Sequence, residues 1–188
     1  MKGKDSTQGL GTTLRNALCL NVNFYEDAAD TPRTKRIALT IVILAALSHV
    51  LGSAAILLIN RATLPILAIS LLIDGFAVVA GYYFWTFTIS KIAQWLKPNH
   101  VSYRELLIPI GFAYAPQVLN FLTLIPLLGR AIELVLSVWS LLTVIVAVRQ
   151  GLDIRTRWAA LICLVGWPVI QVAIGFVQVF GQFLARQF

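Results

Sequence analysis

"LLIPIGFAYAPQVLNFLTLIPLLG", residues 106 to 129, is apolar enough to cross a bilayer, yet it carries Pro109, Pro116 and Pro126 together with the amides of Gln117 and Asn120. A proline inside a helix removes a backbone hydrogen bond and clashes with the carbonyl four residues earlier. In lipid, no water replaces the lost partner. The stretch therefore predicts a membrane helix kinked or broken near Pro116, with its polar groups turned toward other helices. Spacings of four, three and four place Pro109, Ala113, Pro116 and Asn120 on one helical face with Gln117 beside it. Gly111 and Ala115 form a small-xxx-small pair, which lets a neighbouring helix approach and satisfy the carbonyl freed at Phe112.

The rest of the chain supports a membrane reading. Of 188 residues, 59% are hydrophobic and 12% charged, and mean hydropathy is +0.82, whereas soluble domains carry about 25% charged residues. Five hydrophobic segments are bounded by charges: Ile37 to Ile59, Leu64 to Ile89, Leu106 to Leu128, Ala131 to Val148 and Ala159 to Leu184. Each approaches the length needed for a hydrocarbon core of about 30 Å. Short links at Asn60 to Thr63 and at Gly129 and Arg130 make consecutive spans antiparallel. The expectation is an all-α bundle of five transmembrane helices over residues 37–188, preceded by a cytoplasmic arm over residues 1–36.

Charge placement sets the expected orientation. Twelve of the 15 Lys and Arg residues fall on the side of the N-terminal arm, and Arg61, Arg130 and Arg186 fall on the other. The positive-inside bias puts the N-terminus in the cytoplasm and the C-terminus outside. The net charge of +7 has the same origin, and no interleaving of aromatic with basic residues accompanies it to indicate nucleic acid. The first 36 residues lack a secretory signal peptide pattern, so the first span is expected to direct insertion. Within the arm, Leu10, Leu14, Ala17, Leu18, Val22 and Tyr25 recur at helical spacing. They predict an amphipathic helix, lying either on the cytoplasmic membrane face or beneath the bundle.

Candidate functional residues are the polar ones inside the spans. Asp74, the one charge well inside a span, shares a stripe with Ala77 or Val78 and Gly81. In span one His49, Ser53 and Asn60 share a face, and in span five Gln171, Gly175, Gln178 and Gln182 do. Small and amide-bearing residues on such stripes are expected to face the bundle interior and bond between helices. Glu133, with Ser137 and Ser140 following, reads as a carboxylate at a helix N-terminus. Trp95 and Trp158 read as interface anchors, and Trp85, Trp139 and Trp167 as packing residues. Cys19 and Cys163 read as small hydrophobes. There is no Walker-type loop, zinc-binding His-Glu helix, GxSxG elbow or CxxC pair, so neither an enzyme nor a cofactor or metal site is expected.

Three stretches also resemble a known family. "FYED" (Phe24 to Asp27) precedes span one, "VSYRELLIPIGFAYAP" (Val101 to Pro116) carries Gly111, Tyr114 and Pro116, and "VWSLLTVIVAVRQGLDIRTRWAAL" (Val138 to Leu161) is a Trp-bearing span running into a short basic link. Together they are similar to the Yip family of Ypt/Rab-interacting proteins. The resemblance implies a five-span fold with a cytoplasmic N-terminal region and no catalysis. Eukaryotic relatives engage prenylated Rab GTPases through longer N-terminal regions, and the short arm here is expected of a bacterial member in the cytoplasmic membrane. The expected partners are the lipid bilayer and other membrane proteins or a homo-oligomer, with a role as scaffold or assembly factor. An accessory subunit of a respiratory or photosynthetic complex, and a small transporter using Asp74, are the alternatives.

Overall fold

A computed structural model describes residues 9–26, 31–61, 63–96, 103–125, 128–166 and 172. In chain order its helices are α1 (Leu10–Leu18), α2 (Val22–Glu26), α3 (Pro32–Ile59), α4 (Leu64–Leu96), α5 (Tyr103–Phe112), a 3-10 helix (Ala115–Leu124) and α6 (Gly129–Gly151). A shorter apolar helix, α7, covers Thr156–Gly166. Among the described residues, α3, α4, the α5 and 3-10 pair, and α6 are each long and apolar enough to cross a membrane. Those are four candidate spans. Most of the expected fifth segment, including Gln171, Gln178 and Trp167, lies outside the described residues.

Helix boundaries differ from the sequence expectation for identifiable reasons. The first span starts five residues before Ile37, because Thr31 and Thr34 form a reciprocal capping box and Pro32 occupies the first turn. The Thr34 N–H donates to Thr31 Oγ1 at 3.2 Å and the Thr31 N–H to Thr34 Oγ1 at 3.0 Å. The second span continues past Ile89 to Leu96, since nothing in the sequence interrupts a helix before Pro98. At about 50 Å, α4 is longer than a hydrocarbon core. Asn60, expected on an interior face, instead sits exposed at the end of α3 and donates to the Ile56 carbonyl at 2.8 Å. Arg61 then takes up the left-handed conformation, with φ 53°, to turn the chain toward α4.

The third span is broken where the prolines require it. The Ala113 N–H still donates to the Pro109 carbonyl at 3.0 Å, but the Tyr114 N–H reaches only three residues back, to Gly111, and the Gln117 N–H to Tyr114. From Ala115 onward the chain is a 3-10 helix. Partners from outside hold the two halves in place. The Ser48 hydroxyl on α3 accepts from the Phe121 N–H at 2.7 Å, and the Tyr82 hydroxyl on α4 donates to the Leu107 carbonyl at 2.8 Å. Gly111 meets Ala38 so closely that a Cβ there would lie 2.9 Å from the Ala38 Cβ. The small pair thus permits the approach the sequence predicts.

The core of the bundle gathers Ile41, Val42, Ile89, Leu106, Ile108, Ile110, Phe112 and Val148, all essentially inaccessible. The N-terminal arm adds to this core. α1 packs on α3, α5 and the 3-10 helix, burying Thr13 and Ala17. Near the midpoint of α6, Trp139 Nε1 donates to the Leu18 carbonyl at 3.2 Å. Leu20, in the left-handed region at φ 55°, reverses the chain so that α2 returns toward the other end of α6. There Gln150 Nε2 lies 3.4 Å from Glu26 Oε2, and the Phe24 and Phe112 rings meet at a tilt of 39° with centroids 5.0 Å apart.

Two predictions follow from these contacts. Ser48→Ala deprives the Phe121 amide of its acceptor and should destabilise the bundle by about 1 kcal/mol, lowering the thermal midpoint in detergent by about 2–4 °C, while Ser48→Thr keeps the hydroxyl and restores it. The second concerns Tyr25, which is buried. Burial pushes its phenol well above the ordinary value. A raised folded pKa means that docking is fully stable below the unfolded tyrosine pKa of about 10 and weakens as pH rises beyond it. Amide exchange, corrected for its intrinsic pH dependence, should show α2 losing protection in that alkaline range, and Tyr25→Phe should remove the effect.

Candidate functional site

A helix with three residues per turn stacks every third side chain on one face. In the 3-10 segment and the residue before it, that face is Tyr114, Gln117, Asn120 and Thr123, and all four line one cavity. The sequence expectation placed Asn120 with Pro109 and Pro116 and Gln117 beside them, as an α-helix would. The break changes the period. Pro116 is buried instead, while Gln117 and Asn120 come to share the open face.

Three other helices complete the walls at α-helical spacing. α3 contributes His49, Gly52, Ser53 and Ile56, and α4 contributes Ile73, Asp74, Ala77, Val78, Gly81 and Trp85. From α6 come Gly129, Arg130, Glu133, Leu136, Ser137, Ser140, Leu141 and Val144. The cavity has a volume of about 680 Å³, within the range of small-molecule sites. Small residues make the room. A Cβ added at Gly81 would meet nothing within 4 Å, and one at Gly52 would meet Thr123 Oγ1 at 3.3 Å.

His49, Asp74, Gln117 and Asn120 are therefore brought together, and Gln171 and Gln178 lie outside the described residues. The break residues, Gly111 and Pro116, support the cavity from behind without lining it. Sequence reasoning missed Tyr114 and Arg130 as wall residues and read Glu133 as a helix-terminal carboxylate. α6 begins at Gly129 and has no acidic residue in its first turn, so Glu133 faces the cavity one turn further on. The available signal was the spacing of Arg130, Glu133, Ser137 and Ser140, which is one continuous helical stripe.

The site's electrostatics are those of unspent hydrogen-bonding capacity. Among the described residues, no ion pair or side-chain hydrogen bond joins His49, Asp74, Gln117, Asn120, Arg130 and Glu133. Ser140, 7% exposed, has a buried hydroxyl with no partner. A buried polar group without a partner is uncommon in a folded protein. Among the described residues, no three His, Cys, Asp or Glu side chains group closely enough to hold a metal ion. The arrangement can match charge and donate or accept hydrogen bonds.

The model of the Yip1 domain matches residues 20–178. The chain belongs to the Yip1 domain family. The match begins at the turn between α1 and α2, contains both halves of the broken span and takes in every cavity residue named above. Yip1-domain proteins are non-catalytic membrane trafficking proteins, so this one is a membrane protein and not an enzyme. No curated protein and no solved structure matches the chain.

The cavity of this Yip1-domain protein makes a labelling prediction. In a background of Cys19→Ser and Cys163→Ala, Ser137→Cys should react with a small water-soluble thiol reagent. Ala147→Cys, whose position is fully buried outside the cavity, should remain at least about tenfold slower, as expected when access rather than chemistry governs thiol reaction. Gly81→Leu should slow labelling of Ser137→Cys by filling the space between them.

Proposed function

We infer that this Yip1-domain protein works as a scaffold or assembly factor, held in the membrane with its N-terminus in the cytoplasm, and that it acts by contact with other membrane proteins. One asymmetry supports the reading. The outward faces of α3 and α6 are aliphatic, with Ile43, Leu47 and Leu51 on one and Leu134, Val135, Val138 and Leu142 on the other. On α4 the outward face carries Ile69 and Leu72 and then Phe76, Tyr83, Phe84 and Phe87, an aromatic stripe at helical spacing from Phe76 onward.

Lipid tails solvate Leu and Phe alike, so a need for apolarity alone does not gather aromatics on one helix. Flat, rigid rings do favour the centre of a protein contact, because they bring large area at little rotamer cost. Lys91 lies 5.5 Å over the Phe87 ring and places a positive charge at the end of the stripe. In this reading the aromatic face of α4 receives a helix of a partner protein, and the bundle behind it serves as a rigid mount. The orientation rests on the twelve-to-three distribution of Lys and Arg, and the bacterial cytoplasmic membrane is the setting proposed.

Photo-crosslinking in native membranes tests this. Benzoylphenylalanine at Phe76, Phe84 or Phe87 should give a discrete protein adduct, and the same probe at Leu47 or Val138 should give only lipid adducts. Equal lipid labelling at all five positions, with no protein adduct, overturns the reading. An adduct of twice the chain's mass identifies the partner as a second copy.

A further inference from the structure

We propose that the cavity between α3, α4, the 3-10 helix and α6 binds the head of a phospholipid that carries a primary amine. The inference stands apart from the scaffold reading, since the cavity faces inward and the aromatic stripe outward, and either can fail alone.

The cavity carries both signs of charge. Arg130 lines the cavity near the start of α6, and Asp74 lines it ten residues into α4, a depth of about 15 Å along that helix. Glu133 lies one turn from Arg130. A ligand with only negative charge would meet two carboxylates, and one with only positive charge would leave the guanidinium unmatched. A zwitterion satisfies both signs, with its phosphate on Arg130, which presents paired N–H donors suited to such oxygens, and its cation toward Asp74.

The cavity's acceptors suit a primary amine better than a quaternary one. Asp74, half-buried on α4, lines the cavity with its carboxylate-bearing side chain. Gln117 and Asn120 present amide groups to the same space. A primary ammonium has three N–H donors to share among a carboxylate and amide carbonyls, whereas a trimethylammonium has none. A site that aligns acceptors discriminates strongly against an analogue lacking the donor, because its own groups are then left unpaired. Apolar walls from Ile73, Val78 and Leu141 suit the start of an acyl chain, so the ligand is a lipid and not the free head alone.

The test uses the full chain in nanodiscs containing equal amounts of phosphatidylethanolamine, phosphatidylcholine and phosphatidylglycerol, with retained lipid identified by native mass spectrometry. The expected result is at least a tenfold enrichment of phosphatidylethanolamine over each of the others. Asp74→Asn should reduce that enrichment to within about twofold of the supplied mixture. Gly81→Leu, which adds its side chain to open space, should do the same while leaving the circular dichroism spectrum and thermal midpoint near wild type, so it decides the matter if Asp74→Asn fails to fold. Leu134→Ala, on the lipid-facing surface, should leave the enrichment intact. Equal retention of all three lipids by wild type, or enrichment that survives Gly81→Leu, overturns the proposal. Saturable binding of soluble phosphoethanolamine without lipid preference overturns the assignment to a lipid.

Discussion

The hydrogen bond from the Phe121 amide to the Ser48 hydroxyl is the contact on which the interior of this bundle depends. A span containing Pro109 and Pro116 cannot keep an uninterrupted α-helical ladder, and bilayer hydrocarbon offers no replacement donors or acceptors. The chain responds by tightening into a 3-10 helix after Tyr114 and tying that helix to α3. Tyr82 of α4 fastens the preceding half at Leu107, and the Tyr82 and Tyr114 rings meet edge to face at 5.7 Å. The break is thus clamped from two sides.

The 3-10 geometry has a chemical consequence. Ten residues in α-helical form would spread Tyr114, Gln117, Asn120 and Thr123 around the helix, because three steps of 100° leave each one 60° short of its predecessor. The three-residue period cancels the drift, and the polar side chains face one way. Opposite them stand positions where α3, α4 and α6 carry glycine, alanine or serine. Polar groups aligned by the break, and space left by small residues, together make a cavity that neither feature would produce alone.

How much of this was legible depends on the range of the interaction. Helix type, four of the spans and the break at Pro116 follow from hydropathy, charge and local sterics, which act within a few residues. The stripes of His49 with Ser53, and of Asp74 with Gly81, were legible because α-helical period continues through them. The neighbourhood of Gln117 and Asn120 was legible as well, whereas the departure of Pro116 from their face was not, since the period itself changes at the proline. Ser48 and Tyr82 were beyond reach for another reason: their partners lie 73 and 25 residues away in sequence, and no local pattern marks an isolated serine or tyrosine in a span as an inter-helix clamp. Glu133 was misread because the helix start was placed at Ala131 and the structure starts it at Gly129, where a Cβ would lie 2.5 Å from the Thr123 carbonyl oxygen.

An unmet hydrogen bond also ties the N-terminal arm to the bundle. An indole N–H in the middle of a membrane helix needs an acceptor, and α6 has already committed its own carbonyls to its ladder. A carbonyl at the end of a short helix has no intrahelical donor, so Leu18, the last residue of α1, supplies an acceptor that would otherwise be left over. The two deficits cancel at Trp139. An arm whose only task was to rest on the membrane surface would keep its helix end in water, where the carbonyl has partners in excess. Bringing that end to the midpoint of α6 is favourable only because Trp139 waits there, which makes α1 a part of the packed structure and leaves Trp139 dependent on it.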